Sequence, residues 1–304
     1  LTSGYNMKIL IAALDETYNF TVPLLEDDGH EVRLLTRCEG IPLLFGTPEG
    51  KAYVSQQITE FEPDLVINAV PSIVLSTSSD YTYLGNNWVS ARLETHKWET
   101  REKAAELGWK LPAVLEECTM NTMSTYDKTV YLKPKGLNPW NQAWKVAPNT
   151  TYNNEFDSGI PAFVEESIDY AVEAFCFFTI SNGSYSITRM LGCSGYGHDK
   201  TMTSDSDWKV GKGDLTHFEL TNAQQAAWLP KCTAWLDYIV TLGGTYEGSI
   251  GGLIDSDNEV YWMEQNSRPF TYNNGSIPGS IQDWIDSLTT DPSKSVNPNH
   301  YIEV

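Results

Sequence analysis

One stretch limits what this chain can fold into more than any other: Gly252 to Phe270, which reads Gly-Leu-Ile-Asp-Ser-Asp-Asn-Glu-Val-Tyr-Trp-Met-Glu-Gln-Asn-Ser-Arg-Pro-Phe. Its middle, Asp255-Ser-Asp-Asn, is rich in turn formers. The flanks Gly252–Ile254 and Val260–Met263 are aliphatic, β-branched or aromatic, so the pattern predicts a β-hairpin. The second strand ends in Glu264-Gln265-Asn266, and side chains two apart on a strand share a face. A carboxylate and an amide oxygen presented together suit Mg²⁺, which is held by one or two protein oxygens plus substrate phosphates. The plain alternative is that Glu264 and Asn266 form the wet side of a half-buried hairpin.

At 304 residues the chain can bury one large core or two to three smaller ones, and leaves room for a cleft between domains. Its net charge of −20 repels phosphate backbones and anionic lipids, which argues against docking on nucleic acid or membrane. A polyanionic small molecule would need locally concentrated cations, so the positions of only 20 Lys and Arg carry information. The five cysteines (Cys38, Cys118, Cys176, Cys193 and Cys232) are scattered and include no Cys-x-x-Cys. Reduced, mostly buried thiols and a cytoplasmic location are the expectation. Leu1–Asn6 reads as a cloning remnant ahead of a true start at Met7, and no apolar run is long enough to span a bilayer.

In order along the chain, Met7–Leu14, a helix-compatible segment to Asp28 and Glu31–Thr36 predict strand, helix, strand. A helix at Ser55–Glu60 and a strand at Asp64–Val70 extend this into a parallel α/β sheet. The first loop carries Asp15-Glu16-Thr17 in place of Gly-x-Gly-x-x-Gly, which gives no support for a dinucleotide cofactor. One helix is expected between Gly85 and Pro112, ending at Gly108, with Lys97 and Arg101 four apart on one face. A solvated basic face is the plain alternative for that pair.

A second α/β unit follows. Thr129–Leu132 is a strand running into Lys133-Pro134-Lys135-Gly136-Leu137, and Ala162–Val164 is another running into Glu165-Glu166. Glu173 opens a long apolar strand through Ile180, closed by a turn at Ser181–Ser184. Asn138–Thr151, with Pro139, Trp140, Trp144 and Lys145, reads as a mobile cover, and Asp199–Asp214 as a second one. Leu220–Ile239 is an amphipathic helix whose apolar stripe is Ala226, Leu229, Cys232, Leu236 and Ile239.

Four pieces together resemble the ATP-grasp superfamily, in that family's own order. They are the basic helix, the strand-terminal Lys133-Pro134, Glu165-Glu166 with Glu173 seven to eight residues on, and the terminal hairpin with Glu264-x-Asn266-x-Arg268-Pro269. Within it, Lys133-x-x-Gly136-Leu137 and Tyr246-x-Gly248 look most similar to phosphoribosylamine glycine ligase. The chain departs from that enzyme at Asn138–Trp144, where its glycine-rich phosphate loop belongs, and is expected to do without that enzyme's further C-terminal domain.

The resemblance implies an α/β (α+β) ATP-grasp fold with a Rossmann-like N-terminal domain over residues 7–92 and an ATP-grasp domain over 93–304. The latter divides into a small lid at about 115–170, a large subdomain at about 171–290 and a tail from 291. It further implies ATP and Mg²⁺ as cofactors, with small carboxylate and amine substrates joined through an acylphosphate. Lys133, Arg101, Lys97 and Lys135 would face the phosphates, Glu165 or Glu166 the adenine edge, and Glu173 the ribose hydroxyls. Glu264 and Asn266 would hold the metal, and Arg268 would face the acylphosphate or the carboxylate, a structural salt bridge being its alternative. Two other functions are compatible with these residues: a catalytically weak Mg-ATP-binding module, and a kinase or carboxylase on the same scaffold.

Overall fold

The computed structural model describes residues 6–13, 21–36, 48–70, 80–85, 88–120, 124–136, 143–151, 159–181, 183–194, 216–243 and 246–267. Three sheets organise them. The first is parallel, with strands β1 (Lys8–Ala12), β2 (Glu31–Leu35), β3 (Leu65–Asn68) and β4 (Thr82–Gly85) in the order β2-β1-β3-β4. Helices α1 (Thr21–Asp27) and α2 (Pro48–Phe61) are the crossovers between its first three strands. A parallel sheet covered on both sides needs strands that are apolar throughout rather than alternating. Ile9 and Ile11 accordingly pack with Leu25 and Ile67 on one side, while Leu10 and Ala12 pack with Val54 and Phe61 on the other. The Asp64–Val70 strand is as expected, whereas β4, short and partly polar, carries no clear strand pattern in the sequence.

The second sheet is antiparallel and five-stranded, in the order β11-β10-β9-β12-β13. Its strands are β9 (Val172–Ser181), β10 (Ser184–Ser194), β11 (Thr216–Phe218), β12 (Tyr246–Ile254) and β13 (Val260–Asn266). Helix α5 (Asn222–Val240) covers one face, starting from a capping box in which Thr221 and Gln224 bond each other's backbone amides. Ala174, Cys176, Phe178, Ile250 and Trp262 meet Trp228, Cys232, Trp235 and Ile239 there. Cys232, Leu236 and Ile239 of the expected stripe are buried, but its first half is displaced, since Ala226 and Leu229 are exposed while Trp228 and Trp235 are fully buried. The two indoles bury more apolar surface than Leu229 would, so they set the rotation of the helix. Burial, together with the neighbouring Cys176 thiol, pushes the Cys232 thiol well above its ordinary pKa.

The expected hairpin is β12 and β13. Asp255 Oδ1 accepts the Asp257 and Glu259 amides at 2.9 and 2.8 Å, and Asn258 takes the left-handed conformation at φ 61°. The third sheet is small and antiparallel, in the order β5-β8-β6-β7, from β5 (Val114–Thr119), β6 (Val130–Pro134), β7 (Trp144–Val146) and β8 (Pro161–Glu166). Trp144–Val146 thus pairs with Val130–Leu132 and is not the mobile cover that its sequence suggested. Residues 137–142 and 195–215 lie outside the described set.

Two helices, α3 (Trp88–Thr95) and α4 (Lys97–Glu106), replace the single one expected. His96 separates them with φ −93° and ψ 67°. The Trp98 amide turns to the Lys135 carbonyl at 3.1 Å, so a tertiary acceptor outcompetes continuation of the helix. Among the described residues no helix is long and apolar enough to cross a membrane.

Candidate active site

Helix α4 is where the site begins. Lys97 and Arg101 sit one turn apart and share a face, yet they reach different sheets. The Lys97 ammonium lies 2.9 Å from Glu264 Oε2 on β13, and Arg101 Nη1 lies 3.0 Å from Glu165 Oε2 on β8. At 7% and 8% exposed, neither belongs to a solvated basic face. The segment after α4 repeats the bridging. Lys110 pairs with Tyr261 beside β13, and Ala113 exchanges hydrogen bonds with Glu166 at the end of β8.

On the small sheet, Lys133 and Glu165 face the same way, since Tyr131 is opposite Glu165 and Lys133 opposite Phe163. One Glu165 oxygen takes the Lys133 ammonium and the other takes Arg101. The second half of the Arg101 fork donates to the Pro112 carbonyl, and the guanidinium lies 5.8 Å from the Phe163 ring centre. Burial holds Arg101 below its ordinary pKa, with Glu165 opposing that shift. Glu166 points the other way, accepting the Ala113 amide at 2.9 Å with Lys128 at 3.6 Å. Geometry separates the two glutamates: Glu165 joins Lys133 and Arg101, and Glu166 ties the segment after α4. Lys135 pairs with Glu117 and lies over the Trp98 ring, so the structure does not bring its ammonium into the Glu165 cluster.

On the large sheet, Glu264 is opposite Gly251 and Asn266 opposite Ser249. The two residues share a face as the sequence spacing implies, and Asn266 Nδ2 lies 3.5 Å from Glu264 Oε1. Gln265 points to the opposite side and bonds Trp235 and Ser267. Glu173, 1% exposed, is opposite Leu253 and on the side of Phe175 and Phe177, away from α5. Arg268 lies outside the described residues. Its neighbour Ser267 is fixed by a 2.8 Å hydrogen bond from its amide to Glu94 of α3.

Between the two sheets runs a cleft lined by Pro112, Tyr131, Lys133, Glu165, Leu253 and Met263. Its enclosed space is only about 30 Å³, so it is a narrow crevice. Tyr131 and Leu253 with Met263 offer apolar walls to a flat ring, and Lys133 offers a cation beside them. Met263 lines this cleft, and the next residue, Glu264, is tied to helix α4 through Lys97.

Among the described residues no group of three His, Cys, Asp or Glu could hold a metal ion. One carboxylate and one amide oxygen nevertheless fit Mg²⁺ that arrives with phosphate oxygens completing its shell. Sequence reasoning missed Glu94, Tyr131, Leu253 and the Lys110–Ala113 segment, whose roles depend on which strands become neighbours. Only the register between distant strands could have revealed them.

No protein-family model matches the sequence, and no curated protein matches it significantly. Solved structures do match. The D-alanyl-alanine synthetase A of Vibrio cholerae O1 biovar eltor superposes with TM-score 0.55 at 12% identity over 94% of this chain and 98% of that one. The chain has the ATP-grasp fold. An L-amino acid ligase from Bacillus licheniformis shares it with TM-score 0.54 and 14% identity, over 87% of this chain and 67% of that one. So does an N5-carboxyaminoimidazole synthase from Aspergillus clavatus, solved with ADP and an aminoimidazole ribonucleotide, at TM-score 0.51 and 11% identity over 89% and 72% of the two chains. In this chain the ATP-grasp fold is thus an α/β architecture with a parallel N-terminal sheet and two antiparallel sheets facing each other across the cleft.

Proposed function

We propose that this protein is an ATP-dependent carboxylate–amine ligase. It activates a small carboxylate, such as that of an amino acid, as an acylphosphate, joins it to an amine, and releases ADP and phosphate. The observation that carries this reading is that helix α4 of an ATP-grasp fold ties Lys133 on the small sheet, through Arg101 and Glu165, to Glu264 and Asn266 on the large sheet, through Lys97. The likeness to an L-amino acid ligase and to D-alanyl-alanine synthetase supports the reaction class. Glycine with phosphoribosylamine is one couple within that class, and those likenesses support the class and not the couple.

Phosphoryl transfer asks little covalent chemistry of a protein and much positioning and charge. Lys133 and Lys97 are the cations with a path to the phosphates. Arg101 and Lys135 serve them indirectly, Arg101 by holding Glu165 against Lys133 and Lys135 by fixing the start of the following loop. The Glu165–Glu166 strand end would meet the adenine edge, and Glu173 would accept hydrogen bonds from the ribose hydroxyls. Glu264 and Asn266 would hold Mg²⁺, which when bound neutralises phosphate charge. Arg268 is assigned by its place in the motif to the carboxylate or its acylphosphate.

The test is ADP release and product mass with Mg-ATP across a panel of amino acids, bicarbonate and amines. Bicarbonate belongs in the panel because of the likeness to a carboxyaminoimidazole synthase. Substrate-dependent ADP release and a condensed product are expected. Lys133→Met and Glu264→Gln should each lower turnover by about 10²–10³-fold, as loss of one transition-state contact does, in variants that still melt cooperatively above the assay temperature. ADP binding without turnover on any substrate pair would make the protein a binding module, and a product heavier by a phosphoryl group alone would make it a kinase.

A further inference from the structure

We propose that the Lys97 ammonium is a built-in cation of the Glu264–Asn266 site, holding the place of the divalent metal until nucleotide arrives, so that metal and nucleotide load together. This rests on the nucleotide reading above and goes beyond it in assigning an order of loading.

Glu264 has its charge matched before any metal enters. Lys97 lies 2.9 Å from one of its oxygens and is itself buried, on a helix whose next turn is fastened to the small sheet through Arg101. Asn266 presents its amide nitrogen to the other oxygen at 3.5 Å, and would have to turn its carbonyl oxygen inward to ligate a metal. The register partner of Glu264 is Gly251 and that of Asn266 is Ser249, so neither facing position on β12 supplies a second carboxylate. Lys97 and Glu264 taken as a pair carry no net charge, and a divalent ion added at that carboxylate would stand beside the ammonium. The phosphates of a nucleotide reverse that balance. They offer Lys97 an alternative anion and complete the metal shell with oxygens. An ammonium on a flexible stem can make this exchange, whereas a planar guanidinium locked at two acceptors, like that of Arg101, cannot.

The experiment is Mn²⁺ titration of the full chain by electron paramagnetic resonance, alone and with saturating ADP. Wild type, Lys97→Met and Lys97→Met with Glu264→Gln are compared. Wild type should take up Mn²⁺ only with ADP. Lys97→Met should bind Mn²⁺ alone at least tenfold more tightly than wild type, and adding Glu264→Gln should remove that gain. Lys97→Gln, which keeps a hydrogen-bond donor without charge, serves if Lys97→Met lowers the melting temperature. The coupling is reciprocal, so the factor by which ADP tightens Mn²⁺ should be smaller in the Lys97 variants than in wild type. Equal affinity of wild type and Lys97→Met for Mn²⁺ alone would overturn the proposal. Failure of every variant to bind ADP, measured by calorimetry in the same samples, would instead overturn the nucleotide reading, while the metal-only comparison would still decide the role of the ammonium.

Discussion

The two charge clusters on α4 are built from the same materials and balanced differently. On the small sheet one carboxylate, Glu165, serves two cations, Lys133 and Arg101. On the large sheet one carboxylate, Glu264, serves one cation, Lys97. The first cluster keeps an excess positive charge in a buried wall and is ready for an anion as it stands. The second is a matched pair of one ammonium and one carboxylate, which on the proposal above opens when an anion and a cation arrive together. Burial differs too: the Glu165 side chain is almost fully enclosed, whereas that of Glu264 is about one-third exposed. The enclosed cluster is a fixed fitting, and the open one is an exchange site.

The sharpest way to break this comparison is Glu165→Ala. Removing the shared carboxylate leaves two buried cations facing each other, and losing one partner of a buried pair costs about 3–5 kcal/mol. Urea unfolding should show a loss of that size. A loss within the roughly 0–1 kcal/mol of a surface pair would mean that the cluster is not the fastening described. Gly251→Asp tests the other side by giving the exchange site a second carboxylate opposite Glu264. A Cβ there comes 2.7 Å from the flexible end of Met263 and 3.3 Å from Phe175, so overpacking of about 1–3 kcal/mol is expected. Mn²⁺ binding without nucleotide should tighten by about tenfold, or 1.4 kcal/mol. Unchanged metal affinity in a folded variant would contradict the charge argument.

The smallest effect concerns His96, between α3 and α4. Burial, opposed by Glu99, lowers its pKa. The folded protein then binds the proton less readily than the unfolded chain, so this contribution is full at neutral pH and is lost as pH falls below about 6.5. His96→Gln should flatten the decline in stability between pH 7 and pH 5, measured by urea melts at both. An unaltered slope would show that His96 titrates as it does in the unfolded chain.

What was legible in the sequence follows from what sequence encodes locally. The β12–β13 hairpin was readable because Asp255 and Asn258 make the turn through their own side chains and backbone, with strands of clear composition on each side. The parallel sheet was readable from its uninterrupted apolar runs. The stripe of α5 was readable at Cys232, Leu236 and Ile239 but not in its first half, because Leu229 and Trp228 are both apolar and only the surface of the sheet decides which is buried. Nor was β10, whose alternating Ser, Thr and Arg resemble a loop until β9 and β11 flank it. The site divides the same way. Lys97 and Arg101 on one helical face, and Glu264 beside Asn266, are short-range facts. That the helix spans two sheets, and that Glu165 rather than Glu166 meets the cations, depends on register between strands far apart in the chain.

The indole rings behind the cleft have a practical consequence. Trp262, which borders the cleft, stands edge-on to Trp109 at 5.1 Å and lies 4.3 Å from Trp235, and Trp109 touches Trp228 in turn. Such close rings share excitation, so emission from the whole group is governed by the member nearest the solvent boundary. The protein therefore carries its own optical dye, and a ligand settling beside Trp262 would register as a change in intrinsic fluorescence without any label.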